Sequence, residues 1–394
     1  MQETKSPYRW VIAGLLFTGL MIMQMSFSCL PPLFSEISRD IPMDKTRMGL
    51  IFSMISLAGI IFSLIGGAIS DRFGSRTAIC CALLITALFG GLRSFSETTI
   101  GLAALTFAVG AGLALVPPNV AKVMGSRFSK DELGMANGIV MAATPIGVGV
   151  GIGAGASVLS PLFGGWRGAL GFVAVLCVTM GMVWILLYRE LKPAQGAKDG
   201  GQNILENLKD VTKIKDVWLV AVICGIFFYV IGSLMGLLPI VFEERGINRS
   251  GEMAALVMLA GVISGPLVGM ASDRSGKRKP FLAASAIVMG VCIPSLLSLT
   301  GPMLVAAVIV VGLAQGVMMP IMLAVTIELK QLGPSRTATA VGLIMTVGGA
   351  IGFLGPLVSG RLMDLAGSPW PAFFLMAAIL IAGAAVVIPL ESDA

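Results

Sequence analysis

The residues able to do chemistry in this chain are few, and most are amides and hydroxyls set in apolar runs. Gln24 and Ser28 stand one helical turn apart, and so do Tyr229 and Ser233. Gln315 sits among Val, Ala, Gly and Met, and Asn119 follows directly on Pro117-Pro118. Such groups can hold a small solute by hydrogen bonds, but they supply no strong nucleophile or general base. Histidine is absent, which removes the commonest metal ligand and the usual near-neutral proton carrier. The six cysteines, at 29, 80, 81, 177, 224 and 292, lie in apolar runs without ligand spacing and read as small packing residues. No clustered acids and no Ser-Lys dyad share a depth. The chain therefore reads as a non-enzyme with no metal and no cofactor.

What must position these residues is a membrane. The 394 residues are 56% hydrophobic and only 12% charged, with a mean hydropathy of +0.93. A soluble domain carries about 25% charged residues. The net charge of +6 is spread over loops, with no basic stripe interleaved with aromatics, so it reads as membrane anchoring and not as nucleic-acid binding. Twelve runs approach the roughly 20 apolar residues that a spanning helix needs. They fall at 10–33, 47–70, 76–95, 98–123, 134–158, 168–188, 217–242, 252–272, 280–299, 302–327, 337–360 and 371–390. The first follows Lys5 and Arg9 but continues without a small-x-small cleavage site, so it reads as a retained span.

Most of the 27 Lys and Arg fall on one side of these spans, which predicts both termini in the cytoplasm of a cell or inner membrane. Residues 189–216 form the one substantial internal loop. It separates a six-helix unit at 1–188 from another at 217–394. Gly196, Gly200 and Gly201 suit a flexible linker, whereas Ile204, Leu208 and Val211 recur at helical spacing and predict a short helix on the membrane surface.

The two units share a charged hairpin. Gly67-Ala-Ile-Ser-Asp71-Arg72-Phe-Gly74-Ser-Arg76 is nearly repeated as Gly269-Met-Ala-Ser-Asp273-Arg274-Ser-Gly276-Lys-Arg278. Gly74 and Gly276 suit a tight reversal because glycine tolerates positive φ. Further pairs recur at a nearly constant offset: Pro31 with Pro239, Pro117 with Pro320, and Trp166 with Trp370. The chain thus reads as a duplicated bundle whose halves can rock around a central site.

These motifs resemble the major facilitator superfamily over essentially the whole length. The pattern G-x-x-x-D-[RK]-x-G-x-[RK] between helices two and three is that superfamily's signature, and a weaker copy between helices eight and nine accompanies it. The resemblance implies an all-α integral membrane fold of two pseudo-symmetric six-helix bundles. It also implies a secondary or facilitative transporter working by rocker-switch alternating access. The first hairpin's Asp would meet the start of helix eleven, where helix-end amides favour an anion. On this basis Asp71, Arg72 and Arg76, with Asp273, Arg274 and the helix-ten acid Glu328, are expected to gate the cytoplasmic side. Glu328 would pair there with Arg127, Lys330 or Arg336.

In the superfamily the cavity is lined chiefly by helices one, four, seven and ten. That implies substrate contacts from Gln24, Ser28, Asn119, Tyr229, Ser233 and Gln315. Small residues every four positions mark helices two, five, eight and eleven: Gly59/Ser63/Gly67, Gly147/Gly151/Gly155, Gly261/Gly265/Gly269 and Gly348/Gly352. The resemblance implies that these helices form the seams between the halves, and small residues would let them pack closely there.

The chain also departs from known branches. Thr106-Phe-Ala-Val109-Gly110 lacks the Arg of the proton-coupled R-x-x-Q-G motif, and Thr144-Pro145-Ile-Gly147 only loosely matches the drug/proton antiporter motif. No charged residue lies at the centre of a predicted span, a place where it would signal an ion pathway. A small neutral, zwitterionic or amphipathic solute is the expected substrate. An organic or inorganic anion, a drug, and a channel mechanism stand as alternatives, and the coupling ion is left open. A monomer in the lipid bilayer, with a small-molecule substrate as its partner, is the expected form.

Overall fold

The computed structural model describes residues 7–188, 209–327, 329 and 334–387, with side chains at all of these but 63–73, 130, 131, 273, 327, 334, 335 and 338. Among them, eleven helices are long and apolar enough to cross a membrane, and a shorter apolar helix, Lys279–Ser295, stands in the expected ninth place. The first six are α1 (Tyr8–Asp40), α2 (Lys45–Phe62), α3 (Gly74–Phe95), α4 (Thr99–Arg127), α5 (Glu132–Leu162) and α6 (Trp166–Leu187). The second six are α7 (Lys215–Glu244), α8 (Ser250–Ser272), α9 (Lys279–Ser295), α10 (Gly301–Thr326), α11 (Thr339–Ala366) and α12 (Trp370–Val387). The expected surface helix begins at 204, and its first residues lie outside the described ones. Only 209–211 of it are seen, and they are helical.

The hairpins are tighter than the sequence suggests. Helix continues from Lys45 to Leu92, interrupted only where Gly74 takes φ 83° and ψ 158°. No L-residue adopts that conformation without strain. Its counterpart Gly276 has φ 63° and directly follows a helix that runs to Ser275. Side-chain caps start two helices: the Asp44 carboxylate accepts from the Arg47 N–H at 2.8 Å, and Thr98 Oγ1 accepts from the Gly101 N–H at 3.1 Å.

Proline acts differently in the two halves of the repeat. In α1 the helix gives way to a 3-10 turn at Pro31–Leu33, and in α4 it breaks at Leu115 just before Pro117-Pro118. α7 carries Pro239 and α10 carries Pro320, beyond Pro302 in its first turn, and both stay continuous. Two adjacent prolines remove two successive backbone donors, whereas one removes a single helical hydrogen bond.

By contacts the chain separates into two units: Met1–Lys192 with Leu238–Ala255, and Pro193–Leu237 with Leu256–Ala394. The assignment of the end of α7 and the start of α8 to the first unit has a side-chain basis. Ser35 Oγ donates to Glu243, and Lys45 pairs with Glu244 at 2.9 Å. The first unit's core is built on one face of α1, where Ile12, Leu16, Leu20 and Met23 join Ile79, Leu83, Cys177 and Trp184. Each of these is nearly or wholly buried.

Replacing Gly74 by Ala should destabilise the protein by about 1–3 kcal/mol, and Gly276→Ala by about 1–2 kcal/mol. Thermal unfolding of the detergent-solubilised variants measures the difference, and equal melting temperatures for Gly74→Ala and the parent would refute the strain argument.

Candidate substrate-binding and gating residues

In the first unit, the three expected substrate contacts have different surroundings. Gln24 is half-buried on α1, and its side-chain amide has no hydrogen-bond partner among the described residues. Ser28 is fully buried; its Oγ donates to the Gln24 carbonyl at 2.8 Å and lies 3.4 Å from the Gly147 carbonyl. It joins α1 to α5. Asn119 is also fully buried, and its Nδ2 donates to the Leu115 carbonyl at 2.7 Å, beside the break in α4. One turn further on, Lys122 is exposed, and Gly125 borders open space.

The second unit repeats the pattern. Ser233 Oγ donates to the Tyr229 carbonyl at 2.8 Å, as Ser28 does to Gln24. Ser359 on α11, which sequence reasoning missed, donates to Ser233 Oγ at 3.0 Å and reaches Tyr229 Oη at 3.5 Å. All three are buried, so this cluster ties α7 to α11. Gln315 differs. Its Oε1 is buried without a hydrogen-bond partner among the described residues, close to Gly261 on α8.

Glycines from three of the four stripes expected at seams pack inside a bundle instead, whereas Gly59 and Gly269 border open space. A Cβ at Gly147 or Gly151 would collide with the backbone or side chains of α1, at Met21 and Ser28. Gly261 and Gly265 meet Gly316 on α10, while Gly348 and Gly352 meet Cys224 and Phe228 on α7. A four-residue spacing of small residues marks close helix approach without naming the partner helix. The contact between α5 and α8 falls on other glycines. A Cβ on Gly153 would lie 3.2 Å from the Ala255 Cβ, and one on Gly251 would lie 2.6 Å from the Ile152 carbonyl oxygen.

Charged residues gather where helices end. Arg76 donates to the Ile185 carbonyl in the last turn of α6, and the Trp184 indole N–H donates back to the Arg76 carbonyl at 3.1 Å. Arg76 thus neutralises carbonyls at a helix C-terminus, where a cation is favoured. Arg9, at the start of α1, grips Glu132, at the start of α5, with two hydrogen bonds of 2.7 and 2.8 Å. Its guanidinium carbon also lies 5.5 Å from the centre of the Phe128 ring. Arg127 lies over Tyr8 and Tyr188 at 5.5 and 5.1 Å. In the second unit Asp210, just before α7, holds Arg336 of the helix Pro334–Ala366 at 2.8 Å. The position equivalent to Glu132 is therefore Arg336, and the sign of the pair is reversed. Arg274 is exposed. The side chains of Asp71, Arg72 and Asp273, and the whole of Glu328, lie outside the described residues.

Arg93 is the buried charge that the spacing of charges failed to reveal. It is 1% exposed and donates through Nη2 to the Ser26 carbonyl at 2.7 Å and Ser26 Oγ at 3.1 Å. Its Nη1 has no hydrogen-bond partner among the described residues. The sequence signal was Gly90, one turn before it, since a Cβ there would come within 3.0 Å of Ser26 Oγ, the hydroxyl that Arg93 bonds.

The family model described as Major Facilitator Superfamily matches residues 16–264 and 247–392. The chain belongs to that superfamily. Among superfamily relatives, a hexuronate transporter of Bacillus subtilis is 22% identical over 397 residues, covering 95% of this chain and 92% of the relative. A probable galactarate/D-glucarate transporter of the same organism is 25% identical over 326 residues, covering 73% and 70%. The crystal structure of a bacterial homolog to the human lysosomal transporter Spinster superposes with a TM-score of 0.78 at 14% identity, covering 98% of this chain and 95% of that one. At that identity the likeness concerns the fold alone. Membership makes the chain a multi-pass membrane transporter and not an enzyme.

Gly147→Val and Gly352→Val should each cost about 1–3 kcal/mol or more, because neither α5 nor α11 can retreat from its crossing. Gly138→Val, which faces open space, should change stability by about 0.5 kcal/mol or less. Detergent melting curves test the contrast, and similar losses at Gly147 and Gly138 would contradict it.

Proposed function

We propose that the chain carries small organic acids, of the sugar-acid or short carboxylate kind, across a cell membrane in which both its termini face the cytoplasm. The carrying observation is Lys122, an exposed cation on α4 about 8 Å along the helix from Arg127. A cation so placed raises the local concentration of an anion approaching from that end. The acids named for the two Bacillus relatives, a hexuronate and the pair galactarate/D-glucarate, support the same class. Sugar acids also carry hydroxyls, which the amides of Gln24 and Gln315 suit as partners. The competing reading is a neutral solute, and it draws on Thr106-Phe-Ala-Val109-Gly110, where the proton-coupled motif would place an Arg.

Transport proceeds, on this proposal, by alternating access, with the bundles at 1–188 and 217–394 rocking as bodies. Asp71, Arg72, Arg76, Asp273, Arg274 and Glu328 serve the cytoplasmic gate. Gln24, Tyr229 and Gln315 contact substrate, with Ser28, Asn119 and Ser233 beside them. The protein works as a monomer in the bilayer.

Uptake of labelled D-glucuronate and D-glucarate by proteoliposomes tests the substrate class, with D-glucose as the neutral comparison. Saturable acid uptake is expected, and Lys122→Gln should raise the half-saturation concentration about tenfold at an unchanged melting temperature. Uptake of glucose with none of either acid would overturn the acid reading. Asp71→Asn should shift the carrier toward its inward-open form. Unchanged cysteine labelling from the two sides of the membrane would remove Asp71 from the gate.

A further inference from the structure

Between the end of α3 and the start of α6 lies an open cavity of about 490 Å³. It is lined by Gly91, Ser94, Phe95 and Glu97 from one side, and by Arg167, Gly168, Gly171 and Ala174 from the other. We propose that it is a phospholipid site selective for a phosphatidylethanolamine headgroup.

The lining changes character with depth, and both helices give the same order. α3 runs toward this end of the bundle and α6 runs away from it, so Gly91, Ser94 and Glu97 rise alongside Ala174, Gly171 and Arg167. From Arg167 to Ala174 the helix rises about 10 Å. At the deepest level Gly91 packs against Ala174, whose Cβ lies 3.1 Å from where a Cβ on Gly91 would stand, so the groove closes there and the space for an acyl chain begins above it, beside Gly171. Phe95, one residue past Ser94, is 80% exposed and walls the groove above this level, an exposure suited to lipid and costly in water.

At the middle level is Ser94. It is 8% exposed, and its Oγ is buried with no hydrogen-bond partner among the described residues. A Cβ on Gly171 would lie 3.8 Å from this oxygen, which places the hydroxyl at the groove floor. A buried hydroxyl left unpaired is unfavourable, and an ester carbonyl of a lipid at this depth would accept its proton.

The mouth decides the headgroup. Arg167 is ion-paired with Asp40 and stacks on Trp166 with its guanidinium carbon 4.2 Å from the ring centre. It retains capacity to bind a phosphate, but its charge is already balanced. Glu97 is exposed and makes no ion pair among the described residues. The mouth thus has one spare negative charge beside a guanidinium. A headgroup with a phosphate and a primary ammonium satisfies both, because the ammonium offers three donors to Glu97. A choline headgroup has no such donor, and a glycerol headgroup would bring a net negative charge against Glu97.

Native mass spectrometry of the detergent-purified full chain with equimolar phosphatidylethanolamine, phosphatidylcholine and phosphatidylglycerol of matched acyl chains tests this. Phosphatidylethanolamine should be retained about tenfold over phosphatidylcholine, the worth of a charge-assisted hydrogen bond. Glu97→Gln should reduce that preference to within about twofold, and Gly171→Leu should lower retention of all three lipids. Gly171 faces open space apart from Ser94, so the latter variant should fold, which its melting curve checks. Equal retention of ethanolamine and choline lipids, preference for phosphatidylglycerol, or undiminished binding in folded Gly171→Leu would each overturn the proposal.

Discussion

Inside a bilayer every backbone polar group has to find its partner within the chain, and the architecture follows from that requirement. It forces helices, and it makes their interruptions meaningful. The chain reverses between α2 and α3 through a single glycine without releasing the helix on either side. At the break in α4 the Asn119 side chain adds a local hydrogen bond to the Leu115 carbonyl. Helices that have satisfied their own backbones attract each other mainly through contact area, so they approach most closely where side chains are missing. Crossings at Gly147, Gly316 and Gly352 are the places where this happens.

Charge is then confined to the helix ends, where it sets entry angles. Arg9 with Glu132 and Asp210 with Arg336 occupy equivalent places in the two repeats, joining the beginning of α1 to the start of α5 and the turn before α7 to the start of the helix that contains α11. The geometry of the duplication has been kept while the signs were exchanged. A pair of either polarity satisfies the same electrostatic need, so the repeat is stricter in shape than in residue identity. Arg93 is the exception that lies deeper, and Ser26 on α1 partly satisfies it.

Much of the architecture was legible in the sequence because it depends on composition and on backbone-specific residues. Apolar length announced the spans, and Gly74 and Gly276 announced reversals that only glycine makes easily. Side-chain roles were harder. Gln24 and Gln315 keep amide atoms without partners among the described residues, whereas Ser28 and Ser233 brace neighbouring helices. Hydroxyl spacing is the same for both roles, and burial separates them only once helix rotation is known. The small-residue stripes of α5, α8 and α11 were given the wrong partner for a similar reason: a smooth helix face is readable, but the identity of the helix laid against it is not. Ser359 and Arg93 escaped because their significance lies in partners far away along the chain.

The proline pattern has a mechanical consequence. Paired prolines interrupt α1 and α4, while α7 and α10 each carry one in their interior and keep their helical run. Removing adjacent hydrogen bonds lowers the bending stiffness of a helix at that point. The first bundle therefore contains two compliant members where the second has two stiffer ones. A duplicated fold has become an asymmetric machine, with the half bearing paired prolines yielding more readily to the same load.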